Sequence, residues 1–219
     1  LVRPEMFVDR RNPDPYIYAE RDYTTPRIDV DGSFKAWYLS SPPFPSPPEY
    51  QVMNYYGSQR YHLEIWVEKS TMNDVLLPLC QQYGVNLVTG VGEQSITSTV
   101  ELVQRAMNIN KPVRVFYVSD FDPAGRSMPV AVARKTEFYL KKYSPSLDFR
   151  LFPVALSQEQ CEEFELPRTP IKESERRKDR FEQVHGTGAT ELDALEALHP
   201  GQLHAILENH ILCYYDTEL

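Results

Sequence analysis

Three acids at two strand ends are the residues whose types and spacing could do chemistry. Asp120 and Asp122 follow the apolar run Val113-Arg114-Val115-Phe116-Tyr117-Val118 as an Asp-x-Asp pair, and Glu68 closes the run Leu63-Glu64-Ile65-Trp66-Val67. Carboxylates are hard oxygen donors, and a convergent set suits Mg²⁺, which binds through one or two protein carboxylates plus substrate phosphates. Mn²⁺ accepts the same donors. The plain alternative makes Asp120 and Asp122 a turn and a helix cap. A second strand-terminal acid in Val67-Glu68-Lys69 favours the metal reading. Around these acids, Lys69, Arg126, Lys172 and Arg176 are candidate phosphate contacts. Gly90 and Gly92 either let the backbone approach a phosphate or serve as ordinary turn glycines.

Two parallel strands would bring the acids together, because ligands of open α/β sheets gather beyond the carboxyl ends of the strands. From residue 62 onward, short β-rich runs alternate with helical periodicity, as βα units require. The pattern predicts strands at 63–67, 86–89, 113–118 and 149–156. Helices are predicted at about 71–83, 96–108 and 126–143, with two more at 189–198 and 201–212. Residues 168–180 read as a charged, proline-interrupted loop in which Lys172, Arg176, Arg177, Lys178 and Arg180 are interleaved with Glu173, Glu175 and Asp179. Such a segment is a solvated loop or a contact to a phosphate backbone. Glu191 and Asp193, in Thr190-Glu191-Leu192-Asp193, are either further metal ligands or acids favoured by a helix dipole.

Residues 1–60 hold many of the 18 prolines, including the run Ser41-Pro42-Pro43-Phe44-Pro45-Ser46-Pro47-Pro48, and read as an extended, loop-rich arm. The division expected is therefore an arm at 1–60, a core domain at 61–156, and a charged loop with a small helical extension at 157–219. A 42% hydrophobic content supports a buried core, and no apolar run reaches the length of a membrane helix, so a cytoplasmic protein is expected. Three scattered cysteines, Cys80, Cys161 and Cys213, indicate thiols rather than a disulfide framework or a zinc site. The formal charge of −8 disfavours wrapping nucleic acid by bulk charge but leaves a metal-mediated contact open. Beginning at Leu1 without a methionine, the chain reads as trimmed from a longer protein.

Ile65-Trp66-Val67-Glu68-Lys69, Thr89-Gly90-Val91-Gly92-Glu93-Gln94-Ser95 and Tyr117-Val118-Ser119-Asp120-Phe121-Asp122-Pro123-Ala124-Gly125 together resemble the three successive motifs of the Toprim domain. The version with an Asp-x-Asp-Pro-x-Gly turn is most similar to the topoisomerase VI A subunit and its relatives in meiotic double-strand-break formation. The resemblance covers about residues 62–156. It implies a Rossmann-like fold with a four-stranded, largely parallel sheet flanked by helices. It also implies Mg²⁺ held by Glu68, Asp120 and Asp122, with Glu68 as ligand or as general acid/base at the leaving 3′ hydroxyl. DNA as substrate, a homodimer, an upstream winged-helix domain carrying the nucleophilic tyrosine, and an ATPase subunit are further implications. That tyrosine is not expected here, since Tyr16, Tyr18 and Tyr23 do not match the family's motif.

Three other readings compete. A Toprim nuclease of the overcoming-lysogenization-defect type would use the same metal site with water in place of tyrosine. A non-catalytic DNA-binding or assembly module would keep the fold alone. A haloacid-dehalogenase-like phosphatase would use Asp120 as nucleophile and Asp122 as acid, but Ala124 stands where that family prefers Thr or Val.

Overall fold

The computed structural model describes residues 13–19, 58–90 and 96–219, together with the backbone of two short strands, 27–30 and 50–53. Two compact units are present, one of residues 1–20 and 59–218 and a smaller one of 21–58. In the smaller unit, β1 (Arg27–Val30) pairs antiparallel with β2 (Tyr50–Met53), Arg27 opposite Met53 and Val30 opposite Tyr50. The loop-rich arm thus contains a ladder.

The larger unit is built on β3 (His62–Val67), β4 (Asn86–Thr89), β5 (Val113–Val118) and β6 (Phe149–Ala155), in the order β4-β3-β5-β6. All three pairings are parallel, with Val67 in register with Thr89 on one side and Val118 on the other. The helices are α1 (Asn73–Tyr83), α2 (Ile96–Ile109), α3 (Pro123–Tyr143), α4 (Gln158–Glu163), α5 (Lys178–His185), α6 (Leu192–Leu198) and α7 (Gln202–Leu212). Among the described residues no helix is long and apolar enough to cross a membrane.

Strand alternation sorts the core into two layers. Leu63, Ile65, Val67, Phe116 and Val118 face one cluster, which α1 and the helices after β6 complete through Leu76, Leu79, Leu192, Leu195, Leu203, Leu207 and Ile211. Trp66, Val113, Val115 and Tyr117 face the other, closed by Leu102 and Ala106 of α2 and by Met128 and Val132 of α3. Residues 157–212, read from the sequence as an appended extension, therefore form one wall of the same core.

Other differences are local. Helix α3 begins at Pro123, three residues before the expected start at 126, because Pro123 occupies the first helical position and Asp122 caps it. Helix α4 lies where no helix was expected, opened by a capping box between Ser157 and Gln160. Helix α5 falls at the end of the expected charged loop and is anchored through Phe181. Residues 13–19, expected as part of the loop-rich arm or connector, are tied to the edge of β4. Tyr16 exchanges backbone hydrogen bonds with Leu87, and the Asn86 Oδ1 accepts from the amides of Tyr18 and Ala19, both at 2.9 Å. Cys80 and Cys161 are buried thiols and Cys213 an exposed one.

Candidate functional site

The ladder continues one step past the formal ends of β3 and β5. The Glu68 amide donates to the Val118 carbonyl at 3.1 Å, the Ser119 amide to Ala155 at 2.7 Å, and the Gly90 amide to Val67 at 2.8 Å. Glu68 and the Ser119-Asp120 step are thereby fixed on neighbouring strands at the carboxyl edge of the sheet, the place where α/β sheets bind ligands. Phe121 then pairs in both directions with Thr190, at 2.9 and 3.0 Å, and so draws the start of α6 onto this edge.

The acids occupy different surroundings. Asp120 is buried; its Oδ1 accepts from the Leu192 amide at 2.7 Å, and its Oδ2 lies 2.9 Å from the Lys69 Nζ. Lys69 also donates to Asp193 Oδ2 at 3.0 Å and to Glu191 Oε2. One ammonium thus gathers three carboxylates from two distant parts of the chain, and its pKa is raised: burial works against the charge, but the bonds to Glu191, Asp120 and Asp193 outweigh it. Asp122 spends its Oδ1 on the Gly125 amide at 2.6 Å, the capping role that the plain reading assigned to it.

Glu68 is different. Its Oε2 is buried and has no hydrogen-bond partner among the described residues. Burial first, then the charges of Asp120 and Asp122, push its pKa up to about 7 against the pull of Lys69 and of the Asp120 backbone hydrogen bond. A carboxyl poised there exchanges its proton near neutral pH.

The folded pKa of Glu68 lies above the ordinary 4.5, so the neutral form is favoured by the fold; that contribution is complete below about pH 4.5 and is lost as pH rises through about 7. Glu68→Gln imitates the neutral form at every pH. Because the carboxyl is only partly buried and solvent screens it, the variant is expected to exceed the parent by about 2 kcal/mol at pH 8, less than the full shift implies, and to match it at pH 4. Thermal melts at both values check this, and parallel pH curves would show that Glu68 carries no such burden.

The remaining candidates are distributed. Gly90 has its amide engaged in the ladder rather than turned outward, so it serves the turn. Gly92 lies outside the described residues, as does Tyr23. Lys69, a candidate phosphate contact, has its ammonium on carboxylates instead. Arg126 stands exposed on the first turn of α3, with its guanidinium 6.0 Å from the centre of the Phe121 ring. Lys172 and Arg176 are exposed, while the neighbouring Arg177 and Lys178 are paired with Glu175 and Glu173. Tyr16 and Tyr18 belong to the segment tied to β4.

Among the described residues, no three His, Cys, Asp or Glu side chains already stand in a metal-holding arrangement. Two observations nevertheless fit a hard divalent cation. An orphaned buried oxygen on Glu68 needs a partner, and the negative charges of Asp120 and Asp122 bear on the same carboxyl. The arrangement of Glu191 and Asp193 around Lys69 was missed as such, because it arises only when Phe121 pairs with Thr190. The chain matches no protein-family model and no curated protein in sequence.

Proposed function

We propose that this chain is a Mg²⁺-dependent domain of the Toprim type that works on DNA phosphodiesters, in the manner of the topoisomerase VI A-like proteins its motifs resemble. What carries the reading is Glu68 set beside Asp120 at the carboxyl ends of adjacent parallel strands, with a buried, unpartnered Oε2 and a pKa raised to about 7. Glu68 and Asp120 would hold the cation once the Asp120 Oδ2 gives up Lys69, with Asp122 the third candidate ligand once its cap is relaxed. The cation, Mg²⁺ or Mn²⁺, would supply charge neutralisation at a phosphate oxygen. The protein's own part is to keep the carboxylates fixed on a rigid edge and to hold or release a proton at the Glu68 carboxyl. A homodimer, an upstream winged-helix domain with its tyrosine, and an ATPase subunit belong to the same proposal.

Calorimetric titration of Mg²⁺ and Mn²⁺ tests it. Saturable binding is expected for the parent, a loss of tenfold or more for Glu68→Ala, and complete loss for Asp120→Ala/Asp122→Ala. Equal isotherms for all three chains would return these acids to turn and capping duty and leave a non-catalytic DNA-binding or assembly module. One observation favours a second reading, the nuclease type with water as nucleophile: Glu191 and Asp193 reach the same edge, as a second acidic set would. That version predicts free 5′ phosphates on nicked plasmid rather than a protein-linked end.

A further inference from the structure

We infer that Arg126 and Arg168, both laid against the ring of Phe121, form a phosphate-binding site for a nucleic-acid backbone alongside the carboxylate edge; the inference rests on reading that edge as a phosphodiester site. Phe121 is the residue between the two aspartates, and its side chain is fully buried. Phe181 and His185 pack against its ring, with both centroids at 5.3 Å. The Arg168 guanidinium lies 5.2 Å from the same centroid and that of Arg126 6.0 Å. Among the described residues neither arginine forms an ion pair. Arg168 donates to the Gly188 carbonyl at 3.2 Å, and Glu159 senses the charge of Arg126 without pairing with it.

Two like charges gathered on one ring repel each other, and the attraction of a ring face recovers only about 0.5–1 kcal/mol for each at an exposed site. Arg126 meets a second opposition, because it stands on the first turn of a 21-residue helix, where the dipole favours anions. Burial and these same two arginines also hold the pKa of His185 below its ordinary range, a sign of positive potential. An arrangement that concentrates positive charge at a helix start, with planar forks free of carboxylates, is complementary to phosphate. A polymer rather than a lone phosphate is favoured because exposed Lys172 and Arg176 follow Arg168 on the same segment.

Fluorescence anisotropy with a labelled 20-base-pair duplex, in Mg²⁺ and in EDTA, tests the site across a salt series. Arg126→Gln/Arg168→Gln is expected to lower affinity at least tenfold and to flatten the slope of log K against log salt by about 2, one unit for each lost phosphate contact. Arg126→Lys/Arg168→Lys should restore the slope, which a packing role alone would not do, and a thermal melt checks that each variant is folded. Lys141→Gln/Lys142→Gln, at the far end of α3, should behave as the parent. An unchanged slope in the Gln pair, or a parent that does not bind the duplex, overturns the inference. Displacement of the duplex by inorganic phosphate at equal phosphate concentration overturns its nucleic-acid part. Arginine-dependent binding in a chain that shows no calorimetric signal with Mg²⁺ would uphold this site while removing the metal reading, so the two failures are distinct.

Discussion

Gly125→Ala is expected to destabilise the larger unit by about 3 kcal/mol and, on the proposed metal reading, to abolish divalent-cation binding with it. The sign is the informative part, because glycine to alanine inside a helix ordinarily gains up to about 1 kcal/mol. Gly125 lies in the first turn of α3, and a Cβ there would sit 2.1 Å from the Asp120 carbonyl oxygen and 3.0 Å from the Ser119 Oγ. The first obstacle is backbone and cannot rotate aside. The helix start would have to move away from the end of β5, at the expense of the Asp122 cap on the Gly125 amide and of the Ser119 hydroxyl bond to the Gly125 carbonyl. Both bonds fix the Ser119-to-Asp122 turn on which two of the candidate ligands ride. Urea titration gives the stability and calorimetry the cation affinity. An alanine variant as stable as the parent would show that strand and helix do not approach so closely.

The same turn illustrates how far sequence can be read here. The parallel sheet was legible because β3 and β5 are largely apolar runs bounded by helical periodicity, while their adjacency was only allowed, not required, by βα connection rules. The start of α3 was misjudged because Pro123 and Gly125 look like turn residues, whereas Pro is also a first helical position and the glycine answers a close contact. A signal for α4 was present in Ser157-x-x-Gln160. Helix α5 offered almost none, since Phe181 is its one buried side chain. Contacts across long separations were out of reach: Lys69 meets Glu191 and Asp193 more than 120 positions away, and local pattern carries no record of it. The same limit hid Arg168, whose place beside Phe121 depends on the Thr169–Ala189 and Phe121–Thr190 bridges.

Glu64 sat within the run 63–67 of β3 as its one polar letter, and its substitution is expected to have the largest effect on stability. Its side chain is fully buried and accepts from five donors: Arg105 Nε at 2.8 Å, Arg105 Nη2 at 2.9 Å, His62 Nε2 at 2.8 Å, Trp66 Nε1 at 2.8 Å and Asn86 Nδ2 at 3.3 Å. Burial alone would raise its pKa, but Arg105 and His62 outweigh burial and hold it well below the usual carboxylate range. Its stabilising contribution is therefore complete above about pH 4.5 and is lost only as strong acid protonates the folded protein. Glu64→Leu keeps the bulk and removes every acceptor that Glu64 offers to Arg105, His62, Trp66 and Asn86, at a cost of about 3–5 kcal/mol. Adding Arg105→Leu removes the guanidinium that had met the Glu64 carboxylate but not the need of the Trp66 and Asn86 donors, each worth about 1–3 kcal/mol when buried unpaired. The double variant should fall between Glu64→Leu and the parent, which guanidinium denaturation of the cycle will measure. A second readout separates this from general loosening. Asn86 gives its Nδ2 to Glu64 and offers its Oδ1 to the Tyr18 and Ala19 amides, so Glu64→Leu should speed hydrogen exchange at those two amides beyond the global change. A near-neutral Glu64→Leu would mean that water replaces the carboxylate and that the cluster is not sealed.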